Sequence, residues 1–600
     1  MANYFSDHPE RWDLLANHSR LKEIVTPLEE AFGEKGTYGS DEEAMEFFQG
    51  ALDEIGRYCA NDLKKTDAEI DATGAKLKDG DVVLPEQLLT HLGRVAELGV
   101  FGGNVSRKYG GLNLPQAVTT TALEMFAQAC PNTALTIACF SMGDFLEQWG
   151  TEEQKEKYLP KIITNEYQTS MALTEPGAGS DLGKLRTSAV QEGGHWVLNG
   201  TKQFITNGNS DLVFTLARTD PKSEGLRGLS VFIVPKWVGE KRNVSVPKIE
   251  DKVCLHASPT CELLLENSVG YLMGPEGDGF RVMADLMNGA RLAMGALAVG
   301  IAVRSMEEAK EFARNRVTMG KPIIRHPMVA DMFYEMEVEI RAMRTMIVEA
   351  ANAFDMMNIA RASDDKASFK RWKKRYRRLT PLCKYMGSER SIYFARNALQ
   401  IFGGYGVCRD YPAERLLRET LIYPIYEGTS QIQSLMVLKD TLKDVASQAG
   451  GFLGSLAGAW AEAKVTRDPV KAALLKARNE LNQGIRTILG SILKDKFKSD
   501  IESLKEKKIQ DFVKEFSLNL VSQNSDLTYS FLCAERFTRI TCDYYALKCM
   551  VDQCESDESF REWTLAFAEI ALPRMRYEND IMIHRLPSTL KYLDKMPKEF

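Results

Sequence analysis

His195-Trp-Val-Leu-Asn-Gly-Thr-Lys-Gln-Phe-Ile-Thr206 decides the fold. Its aromatic and β-branched residues read as two strand arms around Asn199-Gly200, a dipeptide suited to a tight hairpin turn. On its N-terminal side, up to about Glu166, the chain reads as helical, with apolar residues at helical spacing from Glu42 to Leu63 and from Leu88 to Leu98. Tyr109-Gly-Gly-Leu-Asn-Leu-Pro115 breaks this pattern as a loop. The strongly apolar stretch Ala122 to Trp149, with Ala138 and Gly143 among its small residues, suits either a core helix or the wall of an apolar ligand cavity. Gly150 ends it, and Thr151 caps a new helix with Gln154 answering. The period switches near Ser170. Asp211 to Arg218, Leu229 to Pro235 and Cys261 to Leu265 read as further strands. From about Glu276 helical spacing returns, in Phe280 to Asn288, Leu292 to Arg314 and His326 to Phe354. Thr380-Pro381 reads as a helix cap with a first-turn proline, opening a helix that runs to about Phe402. A glycine-rich hinge follows at Gly450 to Gly458. More helices run towards Phe600, with Leu518, Leu520, Phe531, Phe537, Tyr544 and Tyr545 as core positions. The order is helices, a compact β unit, helices, a hinge and helices. It divides the chain into 1–168, 169–275, 276–445 and 446–600.

A chain of 600 residues exceeds one hydrophobic core, and two to four domains are expected. The net charge of −6 gives no global case for nucleic acid. The N-terminus shows no signal-peptide pattern, and no apolar run reads as reaching spanning length. The eleven cysteines include no C-x-x-C pair, and the seven histidines form no metal motif, so reduced thiols, no metal and a cytoplasmic setting are expected.

Three segments carry chemistry. Thr174-Glu-Pro-Gly-Ala-Gly-Ser-Asp181 stands at the helix-to-strand switch, with glycine amides and hydroxyls able to cradle a phosphate or the polar edge of a ring. Gln400-Ile-Phe-Gly-Gly-Tyr-Gly406 closes a helix with free amides, and because a helix precedes it, it is not a Rossmann fingerprint. Tyr423-Pro-Ile-Tyr-Glu-Gly-Thr-Ser-Gln-Ile-Gln433 places one carboxylate, Glu427, between aromatics and Gly428. An apolar setting raises a carboxylate's proton affinity, as a base that takes a proton from carbon requires.

Together with Phe204-Ile-Thr-Asn-Gly208, Gly274-Pro-Glu-Gly-Asp-Gly-Phe280 and Arg316-Val-Thr-Met-Gly-Lys321, these segments occur in the order seen in acyl-CoA dehydrogenases, which the chain resembles from about residue 40 to 445. Leu255-His-Ala-Ser-Pro-Thr-Cys261 and the long C-terminal region resemble the long bacterial subgroup that includes methylthiopropanoyl-CoA dehydrogenase-like proteins. The resemblance implies a mainly α fold with an intercalated β-barrel domain and an extra C-terminal helical domain. It also implies FAD. Thr174 would bond the flavin's pyrimidine end, Ser180 the pyrophosphate, Phe204 would lie beside the isoalloxazine and Thr206 would reach N5, with Met171, Leu173 and Gly179 in the same set. Arg316, Met319, Gln400, Gly403 and Gly404 would contact FAD shared with a neighbouring subunit. Met319 stands where relatives carry Phe. Thr429 and Gln431 would touch FAD near its phosphates. Ser180, Asn288, Arg291, Tyr426 and Gly428 would bind the acyl-CoA. Asn288 stands where several relatives carry Asp.

The implied reaction is α,β-dehydrogenation of an acyl-CoA to a trans-2-enoyl-CoA. Glu427 would take the α-proton, and the electrons would pass to an electron-transfer flavoprotein from a homo-oligomer, dimer or tetramer. Gly289-Ala290-Arg291 offers no carboxylate as an alternative base. Rival readings are an acyl-CoA oxidase and a nucleic-acid-binding flavoprotein of the same fold. The second would use Lys370-Arg-Trp-Lys-Lys-Arg-Tyr-Arg-Arg378, whose residues Phe369, Trp372, Tyr376 and Leu379 share one helical stripe. That stretch also reads as an aromatic stripe packed on the bundle with a solvated basic face, or as a peripheral contact with an anionic membrane.

Overall fold

The computed structural model describes residues 2–18, 20–31, 37–447, 462, 465–499, 528–593 and 595–596. The expected hinge at Gly450 to Gly458 and the core positions Leu518 and Leu520 lie outside them.

The first helical block includes α1 (Asp41–Tyr58), whose N-cap Ser40 accepts from Glu43 N–H. The apolar stretch from Ala122 is not one helix. It belongs to α2 (Gln116–Ala129), α3 (Pro131–Phe140) and α4 (Gly143–Trp149), because Cys130 is extended and Pro131 opens a new first turn. Thr151 and Gln154 form the expected capping box at the start of α5 (Glu152–Ile163).

A seven-stranded sheet follows, of β1 (Thr169–Ala172), β2 (Ser188–Glu192), β3 (His195–Thr206), β4 (Leu212–Arg218), β5 (Leu229–Pro235), β6 (Ser245–Ile249) and β7 (Thr260–Met273). β7, β3, β2, β4 and β5 pair in turn, and β5 returns to β7, so these five strands close a ring, with β6 and β1 added outside it. The decisive segment is one continuous strand, not a hairpin. The turn lies six residues before the expected one, at Gly193-Gly194, where Glu192 faces His195. Asn199-Gly200 sits mid-strand because a close approach requires its glycine: a Cβ there would meet Thr187 Oγ1 at 2.4 Å.

The bundle is built from α6 (Gly279–Asn315), α7 (Pro327–Ala362), α8 (Lys366–Phe402), α9 (Ala413–Thr420) and α10 (Ser430–Ser447). Two expectations fail here. The segments Phe280 to Asn288 and Leu292 to Arg314 form a single helix, since nothing at Gly289 interrupts the hydrogen-bond ladder. Thr380-Pro381 does not open a helix. It lies inside α8, fully buried, where packing on both neighbours carries the helix past the one backbone bond that proline cannot donate. By length and composition α6 could cross a membrane, contrary to the reading of the sequence, because its apolar window spans occasional charges rather than forming an unbroken run. Of that window, 72% is buried inside the protein, as in a core helix.

Further helices are α11 (Pro469–Ser499), α12 (Thr528–Cys554), α13 (Arg561–Asp580) and α14 (Leu586–Leu593). α12 and α13 pack on the bundle. Arg574 of α13 bonds Glu339 of α7 at 2.7 Å and Asp543 of α12 at 2.6 Å, and Arg539 bonds Tyr385 of α8 at 3.0 Å. Phe537 is buried, whereas Phe531, Tyr544 and Tyr545 are half-buried. Trp372, Tyr376 and Leu379 are buried, with Phe369 half-buried, so the aromatic stripe packs as read. Its basic face is more than solvated. Lys374 pairs with Asp444, Arg375 with Glu349 and Asp552, Arg377 with Asp440, and Arg378 with Asp444 and Tyr545.

Candidate active site

The Glu427 turn lies between α9 and α10. Glu427 and Gly428 both have left-handed backbones, with φ of 56° and 87°. For glutamate that conformation costs on the order of 1–3 kcal/mol and persists only where surroundings impose it. Here they do. Gln433 Nε2 donates to the carbonyls of Glu427 and Gly428 at 2.9 and 3.1 Å. From α8, Lys384 Nζ donates to the Gly428 carbonyl at 2.8 Å, and Ser388 Oγ donates to the Tyr423 carbonyl at 3.0 Å. Ser430 Oγ donates to Glu389 at 2.6 Å. Thr429 caps α10, its hydroxyl accepting from Ile432 N–H at 3.2 Å.

The carboxylate of Glu427 makes no ion pair or hydrogen bond among the described residues. Burial pushes its proton affinity above the usual carboxylate range, opposed by the charges of Arg291 and then Lys384. Arg291 is buried on α6. Its Nη1 donates to Asn288 Oδ1 at 2.9 Å and its Nε has no partner. Asn288 thus orients Arg291. Tyr426 packs at a tilt against Tyr423, ring centroids 5.8 Å apart, its buried hydroxyl unpartnered among the described residues.

A cavity of about 140 Å³ lies beside this cluster. α2 contributes Gln116, Thr119, Thr120 and Leu123. The α3–α4 segment contributes Ala138, Ser141, Asp144 and Phe145, and α6 contributes Asp285, Leu286, Gly289 and Ala290. The Ala122 stretch is therefore divided between packed core and the wall of a cavity lined by both apolar and polar side chains. Gly143 does not face the cavity: a Cβ there would meet Val105 Cγ2 at 2.7 Å, so it serves packing. Glu427 does not itself line the cavity, but Cys139, next to Ala138, feels its charge, and the lining residue Tyr376 feels that of Arg291. Burial raises Asp144, inside the cavity, to about 6.

A second group gathers at the β unit. Gln203 N–H donates to the Thr174 carbonyl at 2.9 Å, joining the Thr174 loop to β3 beside Phe204 and Thr206. Phe204 is 58% exposed on a left-handed backbone, φ 60°. An aromatic ring held outward in this way offers a platform for a flat ligand. The hydroxyls of Thr174, Ser180 and Thr206 bond nothing among the described residues, and Met171 and Leu173 lie on and just after β1. Gly177 turns the loop at φ 85°, while Gly179 and Ser180 are exposed. The loop is pinned by Glu175, whose carboxylate accepts from Arg186 N–H, Thr187 N–H and the buried Lys202 Nζ, the last at 2.8 Å.

A third group is exposed. Arg316 lies 5.7 Å from the Tyr405 ring, beside Gln400, Gly403 and Gly404, and Met319 is 93% exposed at φ 49°. Among the described residues, no hydrogen bond, ring contact or ion pair joins this group to the Glu427 cluster. Gln431 is also exposed. Sequence reasoning missed Lys384, Gln433, Glu175 and Lys202. A lysine inside the apolar helical run Pro381 to Met386 was the available signal for Lys384.

Family models for the N-terminal, middle and C-terminal domains of acyl-CoA dehydrogenases match residues 49–166, 170–268 and 277–442. The chain is 32% identical to the 3-methylmercaptopropionyl-CoA dehydrogenase of Ruegeria pomeroyi over 74% of its own length and 80% of that protein's. It is 34% identical to an acyl-CoA dehydrogenase of Bacillus subtilis, over 61% of this chain and 93% of the relative. Among solved structures, butyryl-CoA dehydrogenase from Megasphaera elsdenii superposes with a TM-score of 0.57 at 28% identity, covering 65% of this chain and 97% of that one. An acyl-CoA dehydrogenase complexed with FAD from Bacillus anthracis covers 92% of this chain and 91% of its own, with a TM-score of 0.70 at 24% identity, so the fold extends through the C-terminal helices.

Proposed function

Because the chain belongs to the acyl-CoA dehydrogenase family, and is an oxidoreductase acting on acyl-CoA, we propose that it removes hydrogen from the α and β carbons of a compact acyl-CoA with Glu427 as base. The observation that carries this is the unpaired Glu427 carboxylate, raised by burial and carried on a clamped left-handed turn beside a cavity. FAD is the cofactor, and when bound it supplies the acceptor for the β-hydrogen with its electron pair.

This chain's residues supply placement. The exposed Phe204 ring and the uncommitted Thr174, Ser180 and Thr206 hydroxyls suit a flat, polar-edged ring with a phosphate tail. Glu427 takes the α-proton onto its carboxylate as the C=C bond forms. Its own backbone N–H is available to the thioester oxygen as negative charge develops there. Arg291 and Lys384 keep the carboxylate ionised enough to act despite burial. Asn104, Gln116, Thr119, Thr120 and Asp144 interrupt an otherwise apolar lining in a cavity of about 140 Å³, which supports a compact acyl group tolerating a heteroatom. Electrons then leave to an electron-transfer flavoprotein from a homo-oligomer whose exposed Arg316 and Gly403 face completes the cofactor site.

Anaerobic titration of the FAD-loaded protein with an acyl-CoA panel tests the reading. Short acyl groups, including thioether-bearing ones, should bleach the flavin faster than palmitoyl-CoA. Bleaching by none would overturn it. Hydrogen peroxide formed in step with substrate would replace the electron-transfer flavoprotein by oxygen.

A further inference from the structure

Lys384 is fully buried, at 0% exposure, in the middle of α8. Among the described residues it has no carboxylate within ion-pair distance, and its one hydrogen bond goes to the Gly428 carbonyl, 2.8 Å away. Burying an ammonium costs several kcal/mol unless something nearby compensates, and a methionine of similar length would pack there without that cost. We propose that Lys384 is a positioning residue for Glu427: from α8 it fastens the left-handed turn that aims the base, and it keeps a positive charge beside the carboxylate.

The geometry is specific. Lys384 and Ser388, one turn apart on α8, grip the carbonyls of Gly428 and Tyr423. Each end of the Glu427 turn is thereby tied to the same rigid helix face. Burial pulls Lys384 down to about 8; Glu427 is the foremost charge opposing that fall, Arg291 adds to it, and Glu389 opposes it more weakly. Glu389 is committed to Ser430. The other groups around Glu427 are Arg291 from α6, Cys139 from α3 and Tyr426 from its own turn, and burial keeps the thiol and the phenol neutral. Lys384 and Arg291 are therefore the two cations holding Glu427 ionised. The sign follows: losing the Lys384 charge makes Glu427 take up its proton at higher pH.

The inference rests on Glu427 being the base, so the experiment separates the two. Single-turnover flavin reduction of the FAD-loaded enzyme is measured against pH for wild type, Lys384→Gln, Lys384→Met, Lys384→Arg and Glu427→Gln. Both neutral variants should move the acid limb of the profile to higher pH, by roughly a tenfold change in proton concentration. Lys384→Arg should keep the limb near that of wild type. On the plateau Lys384→Gln, which can still donate to Gly428, should stay within a few-fold of wild type, and Lys384→Met should fall about tenfold. An unshifted acid limb in a folded neutral variant overturns the proposal. So does failure of both neutral variants to fold, because Ser388 and Gln433 hold the turn without Lys384. Reduction retained in Glu427→Gln would instead overturn the base assignment. Loss of reduction there, with unshifted Lys384 limbs, overturns only the role of Lys384.

Discussion

Two buried lysines sit near glutamates in this molecule, and they are used in opposite ways. In the β unit Lys202 touches Glu175 at 2.8 Å, and the carboxylate also accepts two backbone N–H groups. In the bundle Lys384 touches the backbone of the Glu427 turn rather than the carboxylate. Both lysines are pulled by burial to about 8. Their glutamates diverge. Burial would raise Glu175, but the Lys202 charge and the hydrogen bonds win and hold it below the usual range, whereas burial wins at Glu427 and holds it above. Contact makes a structural pin of one acid, and separation leaves the other with the proton affinity a base needs.

The contrast can be broken most sharply at Glu427. Glu427→Gln should cut flavin reduction by roughly 10²–10⁴-fold or more while FAD and CoA-ester binding persist, as read by stopped-flow absorbance. Next in size, Lys202→Met strands a buried carboxylate and should cost about 3–5 kcal/mol in denaturant unfolding. Lys384→Met, which leaves no carboxylate stranded at contact distance, should cost clearly less. The pH dependence of stability should then differ in sign. Glu175, with its lowered folded pKa, contributes stability above the ordinary glutamate range that is lost as pH falls. Glu427, with its raised folded pKa, costs stability at neutral pH, and that cost disappears as pH falls towards the ordinary value. Glu427→Gln should therefore melt higher than wild type at neutral pH, with the gap closing on acidification. A constant gap would break the comparison. Smallest, Thr429→Ala should cost about 1 kcal/mol through the lost cap of α10, with the acid limb of the rate profile unmoved.

The architecture and the buried, unpaired acid were legible in the sequence because both are written in local signals: a change of period at Ser170, a capping box at Thr151, a lone acid beside Gly428. The sequence misplaced the hairpin because Asn199-Gly200 carries turn chemistry, yet its glycine answers to Thr187 across the sheet. It misplaced a helix start at Thr380-Pro381 because a local rule met a helix whose stability comes from packing on both flanks. Lys384 and Lys202 went unread for a related reason. Lysine usually means surface, and only the distant partners, Gly428 and Glu175, show why these two are inside.

The grip of α12 and α13 on the bundle has a practical consequence. Glu339 has 0% exposure and is neutralised from both sides, by Arg390 of its own bundle and by Arg574 of α13, and Tyr385, the residue after Lys384, is held by Arg539 and Glu535 of α12. A gene shortened after α10 would take Arg574 from Glu339, leaving it Arg390, and would strip Asp552 from Arg375 and Tyr545 from Arg378. The residues after α10 are thus the wrong place to trim for crystallisation or fusion, since α12 holds Tyr385, the position next to Lys384 on α8.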